Sequence, residues 1–141
     1  MSQTETLEHL TNDLELSEKN RREAALKLAL ELARAADSKK AEDIVILDVS
    51  QTLGIADYFV ICTARSKKQV EVVAEACEEA ADKLGYRTKP LDGKDTGWVV
   101  GDFADALLHV FEEERRRYYD LEQLWADAPR VAFTPEPSLR P

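Results

Sequence analysis

The chain is poor in the residues that staple, ligate or span. Its 141 residues include two cysteines, two histidines and one methionine. Two cysteines supply neither the disulfide framework of a small secreted domain nor a four-ligand zinc site. Cys62 lies in the apolar run YFVICTA and Cys77 in the pattern VEVVAEACEEAADKL, so both read as small buried hydrophobes. His9 and His109 have no metal-ligand spacing, and no metal or cofactor site is expected. No apolar run approaches the ~18 residues that a membrane span needs. The opening stretch, MSQTETLEHLTNDLELSEK, lacks the basic and apolar regions of a secretion signal, which points to a cytoplasmic chain with reduced thiols. Positive charge is scarce as well. The 28 acidic residues outnumber 19 basic ones, for a net charge of −9. That balance argues against a protein that grips nucleic acid over a broad surface, because such binding draws its energy from Lys and Arg displacing counterions. It suits a basic protein partner.

What is present reads as one compact domain with tails. Residues 1–16 are polar and weakly periodic, a flexible or marginally helical N-terminus. The domain proper is expected over 17–129. Within it Ala25, Leu28, Ala29, Leu32, Ala33 and Ala36 recur at helical spacing. Ile44–Val49 and Tyr58–Thr63 are short, β-branched apolar runs that read as buried strands. Ser66 and Gln69 form an S-x-x-Q capping box. After it Val70, Val73, Ala74, Cys77, Ala81 and Leu84 mark one helical face, and Gly85 supplies the stop. Tyr86–Pro90 is expected as a short edge strand. Trp98–Phe103 and Ala106–Phe111 read as a hairpin turned through Ala104-Asp105, followed by a third helix holding Tyr118, Leu121, Leu124 and Trp125. Residues 130–141, with three of the five prolines in the last ten positions, read as a disordered tail. The expected order is α-β-β-α-β-β-β-α. With one right-handed parallel crossover between the second and third strands, this is a mixed sheet with flanking helices in the α/β class.

The candidate sites follow from this layout. Arg65, Lys67 and Lys68 crowd the positive end of a helix, where the dipole disfavours cations but backbone amides attract anions. No glycine-rich loop precedes them, which weakens a nucleotide site. Asp48, Asp57, Asp102 and Asp105 lie in or beside strands, yet neither Asp48 nor Asp102 belongs to the D-x-D pair that two-metal phosphoryl transfer uses. No catalytic residues are expected. The richest stretch is GWVVGDFADALLHVF, where Trp98, Val100 and Asp102 share one sheet face and Val99, Gly101 and Phe103 the other. An aromatic, a carboxylate and the imidazole of His109 can gather on this hairpin. A tryptophan at a strand start serves as a core residue or as an interface anchor.

Three stretches carry a resemblance: AEDIVILDVSQTLGIADYFVICTARSKKQV, GWVVGDFADALLHVF and RRRYYDLEQLWADAP. In this order and with these gaps, across about Ala24 to Pro129, they resemble the Iojap family, the bacterial ribosomal silencing factors and their organellar relatives. Gly101 and Ala106 depart from the family's larger aliphatics, and Ala104 from its glycine. The resemblance implies an α/β fold similar to nucleotidyltransferases without their catalytic carboxylates. It also implies binding to a ribosomal protein on the intersubunit face of the large subunit. Occupying that face keeps the small subunit from joining and represses translation when nutrients are scarce, and the free protein is expected as a homodimer. Trp98, Asp102, Phe103 and Asp105 are the expected partner-binding residues. The alternatives are a nucleotide-binding or nucleotidyl-transfer domain, suggested by fold analogy, and a factor in large-subunit assembly.

Overall fold

The computed structural model describes the chain from Gln3 to Pro135, apart from Leu53, Ile55 and Thr88. The elements run α1 (Gln3–Ser38), β1 (Glu42–Asp48), β2 (Tyr58–Ala64), α2 (Lys67–Lys83), β3 (Trp98–Asp102), β4 (Ala106–Glu112), α3 (Glu113–Tyr119), α4 (Leu121–Leu124) and β5 (Arg130–Val131). The strands form one mixed sheet in the order β3-β4-β2-β1-β5. Only β2 and β4 pair in parallel, with Val60 opposite Leu108 and Cys62 opposite Val110. The other pairings are antiparallel.

Strand alternation sorts the apolar residues into two clusters. Ile46 of β1, Val60, Cys62 and Ala64 of β2, Val99 of β3, and Ala106, Leu108 and Val110 of β4 meet the apolar stripes of α1 and α2. Those stripes are Leu28, Ala29, Leu32, Ala33 and Ala36 on one helix and Val70, Val73, Ala74, Cys77 and Ala81 on the other. Each Leu or Val buried there contributes about 1.5–3 kcal/mol. Leu47, Phe59, Ile61 and Phe111 point to the opposite face, where Leu121 and Trp125 cover part of them. The small Ala and Cys side chains between α1 and α2 allow a close approach, and the Cys77 Sγ lies 3.4 Å from the Leu32 carbonyl. Burial pushes both thiols up, Cys62 to about 12, so neither is a nucleophile at neutral pH.

The start of α2 uses both residues of its capping box. Ser66 Oγ accepts from the Gln69 N–H at 3.1 Å, and Gln69 Oε1 reaches back to the Arg65 N–H at 2.7 Å. Gly85, at φ +89°, lets its own N–H and that of Tyr86 close onto Asp82 and Ala81.

Four local expectations are corrected. Tyr86–Pro90 is no strand among its described residues, because the Tyr86 backbone closes α2 and its ring packs against the core. The sheet edge is met instead by Asp92, whose N–H and C=O both bond Val100 at 2.9 Å. The parallel partner of β2 is therefore β4, and the crossover from β2 passes through α2 and the edge strand β3. The expected third helix breaks at Asp120, which takes a left-handed φ of +44°. Asp tolerates that conformation better than most residues. The break turns Leu121 and Trp125 back onto the sheet and leaves Tyr118 81% exposed. Finally, the expected tail at 130–141 opens with a strand. The Pro129 carbonyl accepts from the Asp48 N–H at 2.8 Å, and Val131 pairs with Ile46. Residues 136–141 lie outside the described residues.

Candidate functional site

The β3–β4 hairpin forms one end of the sheet. Trp98 faces Phe111, Val100 faces His109 and Asp102 faces Leu107, so these six side chains share the face away from α1 and α2. The turn is tight. The Phe103 N–H bonds the Ala106 carbonyl at 3.0 Å, Asp102 Oδ1 accepts from the Ala104 N–H at 2.9 Å, and Ala104 sits at φ +67°.

Trp98 is held rather than free. Its indole N–H donates to His109 Nδ1 at 3.2 Å, and its ring stacks on Phe111 with centroids 4.9 Å apart. Tyr119 from α3 tilts against it at 4.4 Å. The outer part of Trp98 stays half-buried, so the residue is both a packing element of the second cluster and a surface feature. Because the indole can only donate, the imidazole proton belongs on Nε2. That atom is buried and has no hydrogen-bond partner. His109 is 7% exposed, and burial lowers its pKa from 6.5 to about 4. It is a neutral spacer at physiological pH, wedged edge-on to Phe59 at 5.0 Å.

Two carboxylates flank the hairpin turn. The Ala104 amide, and then Lys89 at 3.2 Å, hold Asp102 below the usual carboxylate range, so it remains charged. Asp105 accepts from the Tyr86 hydroxyl at 3.2 Å and lies 3.7 Å from Arg21, which also grips Asp57 at 2.6 Å. Trp98 and Asp102 share one sheet face at opposite ends of β3, whereas Asp105 turns toward α1 and Tyr86 on the helix-covered side. Phe103 is not a surface residue. It is 1% exposed and points into the helix-covered core, where its ring occupies the space that a larger residue at Gly101 would need. A Cβ placed on Gly101 would lie 2.8 Å from that ring. The expectation that Phe103 meets a partner is therefore corrected, and Gly101 is explained by the same contact. Tyr118 and Tyr119, 81% and 37% exposed, add surface aromatics beside those expected to bind a partner.

Little here resembles a reaction centre. Asp48 Oδ1 accepts from Ser50 Oγ and the Ser50 N–H, and Arg65 pairs with Glu42. No group of three or more His, Cys, Asp or Glu among the described residues is placed to hold a metal ion. A cavity of about 610 Å³ lies between the sheet and α3–α4. It is lined by mixed charges, including Asp43, Arg116, Glu122 and Arg130. Arg116 fills its wall with bonds to Thr63 Oγ1 at 2.7 Å and Glu122 at 2.9 Å, pinning α3 to the sheet.

The family model for "Ribosomal silencing factor during starvation" matches residues 22–140. The chain belongs to the ribosomal silencing factor family. The ribosomal silencing factor RsfS of Bacillus subtilis is 45% identical over 98 residues, covering 69% of this chain and 83% of that one. The chloroplastic protein Iojap of Arabidopsis thaliana is 30% identical over 117 residues, covering 83% of this chain and 49% of that one. A crystal structure from Bacillus halodurans superposes with a TM-score of 0.64 at 38% identity, covering 77% of this chain and 96% of that one. A second, from Chromobacterium violaceum, gives 0.66 at 29% identity over 79% and 92%. The family and its RsfS relatives are named for ribosomal silencing and not for an enzymatic reaction. Among the described residues no helix is long and apolar enough to cross a membrane.

Proposed function

We propose that this chain represses translation by steric occlusion. It docks through the outer face of the β3–β4 hairpin on a basic ribosomal protein of the large subunit's intersubunit face, and its bulk then keeps the small subunit from joining. The observation that carries this reading is the composition of that face. A half-buried Trp98, backed by His109, Phe111 and Tyr119, shares its sheet face with the ionised Asp102 at the far end of β3. A well-packed tryptophan that stays partly open is a common interface anchor. The chain's net charge of −9 steers it toward a basic protein surface.

No bond is made or broken in this scheme. The work is done by excluded volume, and its strength is set by affinity. In the free protein the same aromatic face is open to a second copy, and a two-fold pair covering it competes with ribosome binding. Sedimentation with isolated large subunits tests the docking step. The protein should travel with them, and raising salt should weaken the complex through screening over about 8–10 Å, without the steep dependence of phosphate contacts. Tight binding to naked ribosomal RNA at physiological salt contradicts the scheme. Light scattering across a dilution series, with and without large subunits, tests the competing pair, and a dimer that persists on the ribosome removes the competition.

A further inference from the structure

The helix α1 changes character midway. From Ala25 onward it packs on α2 and the sheet, whereas residues 6–24 are all exposed. At 1.5 Å per residue the exposed part is an arm roughly 28 Å long. The match to the family begins only at residue 22, so most of this arm lies outside what the family shares. An isolated helix of this length is marginal in water unless one of its faces is covered.

The arm carries a face suited to such cover. Leu7, Leu10 and Leu14 fall at i, i+3 and i+7 and form one stripe, 52–71% exposed. Leu16 lies on the opposite side of the helix. Asp13 borders the stripe on one flank, and Glu8 and Glu15 border it on the other. Over residues 3–20 there are five carboxylates, Glu5, Glu8, Asp13, Glu15 and Glu18, against the single Lys19. His9 touches Asp13 at 3.4 Å, and Glu18 is engaged by Arg21 at 2.8 Å.

We propose that this arm is a docking site for a basic amphipathic helix of a second protein. The partner's apolar face covers Leu7, Leu10 and Leu14, and its lysines or arginines meet Glu8, Asp13 and Glu15. The charge pattern selects this occupant over a second copy of the chain. With the leucines at the seam of a parallel pair, Asp13 of one helix faces Glu18 of the other, and an antiparallel pair still brings together two arms that each carry five carboxylates against one lysine. Both arrangements oppose like charges. The proposal does not rest on the ribosomal reading, which uses a different apolar face.

The test is a titration of the full chain into a labelled synthetic peptide of 21 residues, leucine at heptad positions a and d and lysine at e and g. Saturable binding that weakens as salt rises is expected. Leu10→Gln with Leu14→Gln retains good helix formers and should weaken binding about tenfold or more. The triple change Glu8→Gln, Asp13→Asn and Glu15→Gln leaves the stripe intact and should weaken binding about fivefold while flattening the salt dependence. Circular dichroism confirms that each variant keeps its helix. Equal binding by the leucine variant overturns the proposal, as does equal binding of a peptide with glutamate at e and g. Sedimentation equilibrium supplies the remaining arm. A dimer that the leucine variant fails to form assigns the stripe to a second copy and also overturns it.

Discussion

The two faces of the sheet are built from alternate residues of the same strands and end up with different tasks. The face under α1 and α2 is closed by two long apolar stripes made largely of Ala, Val, Leu and Cys, and it accepts Phe103 into the gap at Gly101. The other face gathers the aromatics Phe59, Trp98, His109, Phe111 and Trp125 and is covered only in part by short elements, α3 and α4. The first face is given over to close packing. The second keeps Trp98 partly open and holds a buried imidazole with one unbonded nitrogen. The contrast explains how two neighbouring aromatics on one hairpin, Trp98 and Phe103, acquire opposite roles through strand parity alone.

Breaking the closed face should have the largest effect. Phe103→Ala opens a cavity beside Gly101 and should destabilise the fold by about 3–5 kcal/mol, read from the midpoint of urea unfolding. If Phe103→Ala unfolds at the wild-type midpoint, the closed face does not hold the fold as described.

The open face should announce itself through pH. His109 has a pKa of about 4 when folded, below its ordinary 6.5, because burial disfavours the imidazolium. The unfolded chain therefore takes up this proton first as pH falls. Stability is complete above about pH 6.5 and declines toward pH 4, by roughly 3 kcal/mol across the window. His109→Phe should flatten that slope. An equal slope in the variant assigns the titration to other groups.

Trp98→Ala is expected to cost less stability, about 2 kcal/mol, since the ring is only half-buried and the lost stacking is with Phe111 and Tyr119. A loss as large as that of Phe103→Ala would place Trp98 in the core and erase the comparison. The smallest change is a gain. Ala104 holds a left-handed φ of +67°, so Ala104→Gly should relieve backbone strain and raise stability by about 0.5 kcal/mol, net of the glycine's entropy. Calorimetry of the two proteins side by side resolves such a difference, and a lower melting temperature would show the turn to be unstrained.

How much of this was legible in the sequence depends on how local each signal is. The α2 helix was fully readable because its cap, stripe and stop are all encoded within twenty residues, and Ser66, Gln69 and Gly85 make the bonds their types suggest. β1, β2 and the hairpin were readable from apolar runs alone. The sheet order was not, because Tyr86–Pro90 has strand-like composition and its fate is decided by the helix cap that consumes its first backbone amide. β5 is two residues long and exists only because Asp48 and Ile46 offer an edge. The parity of the hairpin was read correctly, with Trp98 and Asp102 on one side and Phe103 on the other. Placing Phe103 at the partner surface ignored that parity, and its burial follows from it.

The central claim is that the open aromatic face blocks subunit joining. The most direct measurement is the light-scattering rise when small and large subunits associate, titrated with the wild-type protein and with folded Trp98→Ala. The wild-type protein should abolish the rise at stoichiometric excess over large subunits, and Trp98→Ala should need about thirty-fold more protein for the same effect. Equal inhibition by the folded variant would contradict the account.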